Sequence, residues 1–278
     1  MKILLTGGDG QLGQALQQSL VNHELLITTI STLDITNQNQ VNTQLKAANP
    51  QLIINTAAYT QVDLAEEQID AAYSVNESGP WYLAQAANEL DVPLMHISTD
   101  YVFDGSSKSA WVESDETRPL SVYGKSKLAG EQAVMNACDR HYIVRTAWLY
   151  HYSGQNFLRT MHGLRDRDEV RVVDDQRGSP TNADDLADAL VKLIQTDSYG
   201  IHHLVNRGEA SWYELTCEFF SQLEIDTRVV PVSTKEFPRP APRPKCSVLH
   251  TERSTGIELP HWKTGVARLV AQIKRGGW

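Results

Sequence analysis

A glycine-rich turn follows the first apolar segment of the chain directly. Residues 2–6 form a short β-rich run, and the segment Gly7-Gly8-Asp9-Gly10-Gln11-Leu12-Gly13 leads from it into a helical pattern. Glycines let a backbone turn tightly and approach a pyrophosphate, while a helix N-terminus offers unpaired N–H groups and partial positive charge. An isolated glycine triplet could equally be a plain tight turn. Between a first strand and a first helix, it predicts a dinucleotide-binding turn.

Short apolar runs alternate with amphipathic segments through the first 150 residues. The predicted strands are residues 2–6, 25–30, 52–55, 94–98 and 142–146. Apolar residues at three- and four-residue spacing predict helices over residues 11–21, 37–48, 64–75, 81–90 and 122–135. This order predicts an α/β fold with a doubly wound, Rossmann-type parallel sheet that binds ligands at the carboxyl ends of its strands.

The alternation loosens after Trp148. The pattern predicts a helix over 155–164, a strand over 170–173, a helix over 184–194 and a strand over 201–205. We therefore expect a Rossmann domain that binds NADP, made of residues 1–150 with parts of 170–206. A smaller, partly discontinuous substrate-binding lobe would comprise residues 151–169 and 207–278. Proline occupies alternate positions from 238 to 244, which excludes a helix or a central strand and predicts an extended loop there.

Composition narrows the class of protein. A chain of 278 residues that is 41% apolar can bury a sizeable core without disulfides. No apolar run approaches the ~18 residues of a membrane span, and the first apolar run is too short for a signal sequence, so we expect a cytoplasmic protein with no membrane contact. Its three cysteines are far apart, which suits a reducing compartment and gives no metal-site spacing. A net charge of −9 argues against a nucleic-acid partner.

One segment departs from the acidic balance of the chain. Residues 228–253 contain six Lys or Arg and two acidic residues. This segment could hold a phosphate-bearing substrate, or it could be a solvated loop that happens to be basic. The sequence leaves both interpretations open.

Tyr123 and Lys127 stand four residues apart in a predicted helix, so their side chains lie on one face. An ammonium group beside a phenol stabilises the phenolate, and we therefore expect Lys127 to lower the pKa of Tyr123 toward the range useful for proton transfer. The chain contains no other Tyr-x-x-x-Lys pair. The segment Ser98-Thr99-Asp100-Tyr101 ends the fourth predicted strand at the same edge of the sheet. Its hydroxyls could donate to a carbonyl oxygen, although an ordinary turn is the alternative.

Taken in order, these motifs resemble the extended short-chain dehydrogenase/reductase superfamily, and within it the reductases of dTDP-4-dehydro sugars. The resemblance is carried by segments 6–13, 55–60, 98–105, 123–131, 145–150 and 176–181. It implies NADPH-dependent reduction of the C4 ketone of dTDP-4-dehydro-6-deoxy-L-mannose to dTDP-L-rhamnose. NADH could be tolerated, because the second predicted strand ends in hydroxyl residues with no acid before Asp34. We expect a nucleotide-sugar substrate and no metal, and a homodimer is left open.

The resemblance also implies a role for each matching residue. Tyr123 would donate a proton to the C4 oxygen, Lys127 would lower the pKa of Tyr123 and hold the nicotinamide ribose, and Thr99 would hydrogen-bond the carbonyl. Asp100 and Trp148 would contact the substrate. The further cofactor-binding residues implied are Gly7, Gly10, Gln11, Leu12, Gly13, Asp34, Ile35, Ala58, Tyr59 and Thr60.

Three histidines need a separate interpretation. His250 stands where the family commonly has Asp, which is a departure in the substrate lobe. His202 and His203 are neighbours on a predicted strand and therefore point to opposite faces, so we interpret both as structural.

Two other functions remain open from the sequence. The chain could be a nucleotide-sugar dehydratase or epimerase of the same superfamily, which would retain its nicotinamide cofactor and return the hydride. Dehydratases typically carry Asp-Glu after the threonine, where this chain has Asp100-Tyr101. The chain could also be a non-catalytic NADP-binding regulatory subunit, although the presence of Thr99, Tyr123 and Lys127 argues against lost catalysis.

Overall fold

Strands and helices alternate along most of the chain, and the computed structural model describes all 278 residues. The strands are β1 (Lys2–Thr6), β2 (Glu24–Ile27), β3 (Leu52–Asn55), β4 (Leu94–Thr99), β5 (His141–Thr146), β6 (Leu149–Tyr150), β7 (Glu169–Val173), β8 (Arg177–Gly178), β9 (Thr181–Asn182), β10 (Gly200–His203), β11 (Ala210–Ser211) and β12 (Arg228–Val232). The helices are α1 (Gln11–Ser19), α2 (Gln38–Ala48), α3 (Val62–Ala65), α4 (Ile69–Tyr73), α5 (Gly79–Glu89), α6 (Val122–Ala137), α7 (Phe157–His162), α8 (Ala183–Leu193), α9 (Trp212–Leu223) and α10 (Trp262–Gly276). None of these helices combines the length and the apolar character that a membrane crossing requires.

Six of the strands form one parallel sheet in the order β2-β1-β3-β4-β5-β10. In chain order, the sheet grows in one direction from β1 to β2 and in the opposite direction from β3 through β4 and β5 to β10. The direction of winding therefore reverses between β1 and β3. A crevice opens at the carboxyl ends of the strands where the winding reverses. The predicted doubly wound α/β fold is confirmed.

Helices cover both faces of the sheet. On one face the apolar side chains of α1 and α8, including Leu16 and Leu190, pack against β1, β3 and β5. On the other face α2, α5 and α6 pack through residues such as Leu45, Leu83 and Val134. Because both faces are buried, the central strands are continuous apolar runs, which is why they could be identified from the sequence.

A second apolar cluster lies outside the sheet. It joins α7, α9 and α10 to β7, which pairs in parallel with β12. The sequence did not predict β12, α9 or α10. Of the elements predicted between residues 170 and 206, β7 belongs to this cluster, whereas α8 and β10 belong with the main sheet. The division of the chain into two lobes at the stated boundaries stays a prediction.

The segment predicted as one helix over residues 64–75 is broken. It forms α3 and α4, which are followed by a π-helical turn at Ser74–Ser78. This turn lies against α6, and Gly130 permits the contact because a Cβ there would lie 2.0 Å from the carbonyl oxygen of Asn76. The side chain of Asn76 donates to the Ser126 hydroxyl at 3.0 Å. The break therefore provides the surface on which α6 rests.

Candidate active site

A deep cleft of about 1200 Å³ lies at the carboxyl ends of the sheet strands and extends toward the second cluster. Fourteen of the fifteen predicted site residues line it, although they come from distant parts of the chain. They are Gly7, Gly10, Gln11, Leu12, Gly13, Asp34, Ile35, Ala58, Thr60, Thr99, Asp100, Tyr123, Lys127 and Trp148. The structure thus brings these residues to one cavity.

The glycine turn forms the floor of one end of the cleft. Gly10 donates its N–H to the carbonyl of Gly7 at 3.0 Å, and no side chain caps the N-terminus of α1. The first helical hydrogen bond comes from the N–H of Gln14, so the preceding N–H groups have no partner within the helix. A Cβ on Gly13 would lie only 2.3 Å from the carbonyl oxygen of Gly7, which shows how closely turn and helix pack. This cradle fits a pyrophosphate group.

Hydroxyl groups cluster where β2 leads into the next turn. The hydroxyls of Thr29 and Ser31 lie 2.8 Å apart, and the hydroxyl of Thr32 accepts the Thr29 N–H at 2.9 Å. Asp34 follows, but one of its carboxylate oxygens is engaged by the N–H and hydroxyl of Thr36 at 2.9 and 2.7 Å. Ile30, which the sequence analysis did not single out, lines the cleft beside them with 77% of its surface exposed.

Tyr59 is the one predicted site residue that does not line the cleft. Its N–H donates to the Asn76 side chain at 2.8 Å, and its hydroxyl donates to Gln68 at 3.0 Å. Ala58 and Thr60 on either side do face the cavity. A role for Tyr59 in binding a cofactor stays a prediction.

Thr99, Tyr123 and Lys127 meet on one wall of the cleft. Thr99 is the last residue of β4, and α6 begins directly after Ser121, whose hydroxyl caps the helix by accepting the Gly124 N–H at 3.1 Å. This places Tyr123 in the first turn and Lys127 one turn later. Lys127 is almost fully buried, and its ammonium donates to the carbonyl of Ile97 at 2.6 Å.

Burial determines the protonation states of Tyr123 and Lys127. It raises the pKa of Tyr123 to about 12, with Asp100 adding to the rise and the Thr99 hydroxyl opposing it. The expectation that Lys127 lowers the pKa of Tyr123 is therefore not met here, since desolvation dominates and the Lys127 ammonium is directed to a main-chain carbonyl. Burial also lowers the pKa of Lys127 to about 8, although Glu131 opposes this shift. At neutral pH Tyr123 keeps its proton and Lys127 is mostly a cation.

Asp100 is a buried carboxyl group beside Thr99. One oxygen accepts the Thr99 hydroxyl at 3.0 Å, whereas the other is buried without a well-formed hydrogen bond. Burial raises the pKa of Asp100 to about 7, with the Ser247 and Thr99 hydroxyls opposing the rise. The side chain therefore changes charge near neutral pH.

Aromatic rings form another wall of the cleft. The rings of Trp148 and Trp212 stack with centroids 3.5 Å apart and planes within 4° of parallel, and Phe157 packs against Trp212. Trp148 has a φ of +46°, which a bulky side chain adopts only under constraint. Gly178 makes room for the ring, because a Cβ there would lie 2.3 Å from it. The sequence predicted only Trp148 in this wall, since the stack depends on contacts between distant segments.

The basic, proline-rich segment reaches the cleft through one residue, Arg243. Its guanidinium Nη1 donates to the Asp63 carboxylate and to the carbonyl of Ala241, both at 2.7 Å. Arg239 lies 3.8 Å from the same carboxylate but does not line the cavity. Elsewhere in this segment, Arg253 donates to the Ser198 hydroxyl at 3.1 Å and to the Tyr199 carbonyl at 2.7 Å. Within this segment, Arg243 therefore fits the interpretation of a phosphate-binding residue. Arg239 and Arg253 lie outside the cleft and fit the interpretation of a basic loop.

The three histidines lie away from the cleft. His202 and His203 occur on β10, as predicted, and each ring bonds to main-chain carbonyl groups. His250 is exposed and contributes its carbonyl oxygen, which accepts from the His203 ring at 2.9 Å. The departure at position 250 therefore leaves the cleft unchanged.

The doubly wound sheet, the glycine cradle and the cleft define a Rossmann-type nucleotide-binding protein. The family described as the RmlD substrate binding domain matches residues 1–275, and the chain belongs to this family. It is 42% identical to a dTDP-4-dehydrorhamnose reductase of Sinorhizobium fredii, with 97% of both chains covered. A solved dTDP-4-dehydrorhamnose reductase of Clostridium acetobutylicum is 45% identical with a TM-score of 0.97, covering 99% of this chain and 100% of the other. The Bacillus anthracis enzyme, solved in complex with NADP, is 40% identical with a TM-score of 0.95 over 98% and 99% of the two chains.

Replacing Asp100 by Asn should change how stability depends on pH. A carboxyl whose pKa rises from 3.8 to about 7 on folding destabilises the native state once it must ionise, so stability falls as pH rises through that interval. Asp100→Asn should therefore gain up to about 4 kcal/mol relative to the parent between pH 4 and pH 8. Urea unfolding of both proteins across this range measures the difference. The exposed Asp168→Asn is the control and should show no such trend. A difference in unfolding free energy between Asp100→Asn and the parent that is the same at pH 4 and at pH 8 would contradict the raised pKa of Asp100.

Proposed function

We propose that this protein reduces the C4 ketone of dTDP-4-dehydro-6-deoxy-L-mannose to dTDP-L-rhamnose with NADPH, using Tyr123 as proton donor. The observation that carries the proposal is the convergence of Thr99 and Tyr123 on one wall of a cleft whose floor is a pyrophosphate cradle. The names of the curated relatives support the substrate. The complete Thr99, Tyr123 and Lys127 set supports catalysis.

The cleft offers a place for each part of a dinucleotide. The first-turn N–H groups of α1 would hold the pyrophosphate, and Ile30 and Ile35 would give apolar surface to the adenine. The hydroxyls of Thr29 and Ser31 can donate to a 2′-phosphate, and one oxygen of the nearest carboxylate on the chain, Asp34, is held by Thr36. These features support NADPH, with NADH tolerated, and the Bacillus anthracis relative was solved with NADP. When bound, the reduced nicotinamide supplies a hydride to the sugar C4.

Tyr123 and Thr99 would meet the charge that develops on the C4 oxygen. Tyr123 is protonated at neutral pH, because its pKa is raised to about 12, and it can give its proton to that oxygen. The Thr99 hydroxyl can turn from Asp100 to donate a second hydrogen bond to the same atom. Lys127 would hold the nicotinamide ribose, as the resemblance implies, and solvent in the cleft would restore the proton to Tyr123.

Arg243 is suited to the diphosphate of the nucleotide sugar. Lys127 and Arg243 are the two cationic side chains that line the cleft, and Lys127 is buried beneath Tyr123. The Nη1 of Arg243 is held by Asp63, while its other nitrogens make no hydrogen bond within the protein. In a protein with a net charge of −9, such a local cation is needed to hold a dianionic ligand.

The local chemistry disfavours the two alternatives. Elimination by a dehydratase would need an acid at position 101, but this chain has Tyr101, whose ring packs edge-on against Tyr123 with centroids 5.7 Å apart. Burial raises the pKa of Tyr101, so it is a poor acid or base at neutral pH. A regulatory subunit would not need the complete catalytic set. The homodimer and the cytoplasmic location stay predictions.

Tyr123→Phe should abolish most turnover while leaving NADPH binding nearly unchanged. The parent protein, mixed with NADPH and dTDP-4-dehydro-6-deoxy-L-mannose, should oxidise NADPH at about 1 per second or faster, and a repeat with NADH ranks the cofactors. The variant should be slower by ~10²-fold or more because it lacks the proton donor. Loss of reduced-nicotinamide absorbance measures turnover, and nicotinamide fluorescence measures binding.

Tyr142→Phe is the matched control, since the Tyr142 hydroxyl donates to the Thr196 carbonyl away from the cleft. Its turnover should equal that of the parent. A Tyr123→Phe variant with normal turnover would refute the role of Tyr123, and a parent that binds NADPH without reducing the ketosugar would refute the proposed function.

Arg243→Ala should raise the KM for the nucleotide sugar about tenfold or more with little change in kcat, because a charged hydrogen bond to phosphate is lost in ground and transition states alike. Arg243→Lys should recover part of the loss. Arg239→Ala is the control, since Arg239 approaches the same Asp63 from outside the cleft. Steady-state kinetics with varied sugar measures all three variants. An equal KM increase in Arg239→Ala and Arg243→Ala would show that the effect comes from the loop rather than from phosphate contact.

A further inference from the structure

A buried ionic network lies behind Tyr123 and Lys127. Its centre is Glu131, which has no exposed surface and does not line the cleft. Glu131 receives the Ser98 hydroxyl at 2.5 Å and a bidentate pair of bonds from Arg145 at 2.9 and 2.7 Å. The proposed reaction uses none of these three side chains.

The network joins the helix that carries Tyr123 to the strand that carries Thr99. Lys127 donates to the carbonyl of Ile97, and Glu131, one helical turn later, accepts from Ser98. Ile97 and Ser98 are the two residues that come directly before Thr99 on β4. Two successive turns of α6 are thus tied to the last residues before the proposed catalytic hydroxyl, which fixes the helix in register with the strand end.

Arg145 extends the network to the edge of the sheet. Its Nη1 lies 3.4 Å from Nε2 of His203, and its guanidinium stacks over the ring of Phe103. Because Nδ1 of His203 donates to the carbonyls of Trp111 and His250, Nε2 is left as the acceptor and the ring is neutral. Arg145 therefore has Glu131 as its one close anionic partner.

The charges around Lys127 come from three elements. Glu131 acts on Lys127 from α6 and His96 lies near it on β4, while Arg145 on β5 pairs with Glu131. Burial lowers the pKa of Lys127, and Glu131 opposes that shift. Burial and Lys127 together lower the pKa of His96, so His96 adds no positive charge near neutral pH. Glu131 is therefore the group that favours the ammonium form of Lys127, although it shares its charge with Arg145.

We propose that Glu131 is a positioning residue for the reduction: it sets the spacing between Thr99 and Tyr123 through Ser98 and Arg145, and it supplies the negative charge that faces the Lys127 ammonium. This inference rests on the proposed function, since it assigns Glu131 to the same catalytic wall. Its effect on the charge of Lys127 is nevertheless measurable without turnover.

Glu131→Gln removes the charge but keeps an oxygen that can accept from Ser98. The titration of Lys127, followed by the 13C resonances of lysine-labelled protein and assigned by their loss in Lys127→Met, should move about one pH unit lower. The kcat for ketosugar reduction should fall about fivefold at pH 8, and its alkaline limb should move to lower pH with the titration. The KM values for sugar and NADPH should change by less than about twofold, because the cleft contacts remain.

Ser98→Ala tests separately whether Glu131 positions the end of β4. This variant also keeps the proposal testable if Glu131→Gln does not fold. It removes the bond to the end of β4 but keeps the charge, so kcat should fall several-fold while the Lys127 titration stays in place. An unchanged kcat in Ser98→Ala would overturn the positioning role.

Asp185→Asn is the matched control. Asp185 is a buried carboxylate that pairs with Arg268 at 2.8 Å, far from α6. It should lower the unfolding temperature without moving the Lys127 titration or the pH–rate profile. If Glu131→Gln behaves in the same way, Glu131 is merely structural and the inference is overturned. If the parent reduces no ketosugar, the proposed function fails, while the Lys127 titration still decides whether Glu131 controls its charge.

Discussion

The contact between α6 and the end of β4 is the constraint on which the catalytic wall depends. A proton donor on a helix and a hydrogen-bond donor on a strand can act on one oxygen only if helix and strand are fixed to within a fraction of an ångström. Gly130 allows the helix to approach the turn at Asn76, and Lys127 bonds to the carbonyl of Ile97. Substitution at these positions would displace Tyr123 from Thr99 even though the cleft itself persisted.

The carboxyl groups that line the cleft differ in how far their charge is compensated. The protein is acidic, yet two of the carboxylates that line the cleft are engaged: Asp63 binds Arg243, and one oxygen of Asp34 accepts from Thr36. Asp100 is buried enough that its pKa is raised to about 7, so near neutral pH it carries only part of a negative charge. The ion pair of Asp63 and the partial charge of Asp100 therefore reduce the repulsion that a diphosphate meets on approaching them.

Features that depend on local pattern could be predicted from the sequence, whereas features that depend on distant contacts could not. The central strands were apparent because burial on both faces makes them continuously apolar, and the glycine turn was apparent from its position between β1 and α1. Arg243 could not be placed in the cleft, because its partner Asp63 is 180 residues away in the chain. The pKa of Tyr123 was expected to fall on the strength of one neighbour, but it depends on burial by the whole fold.

In the proposed reaction, hydride enters at the sugar C4 and stays there. The direct test uses NADPH that carries deuterium at the transferred position of the nicotinamide, with dTDP-4-dehydro-6-deoxy-L-mannose as substrate and NMR of the product. One deuterium is expected at C4 of dTDP-L-rhamnose for each NADPH consumed, with none at the neighbouring carbons. Deuterium at another carbon, or product formed without net consumption of NADPH, would contradict the proposed reaction and would indicate elimination or epimerisation instead.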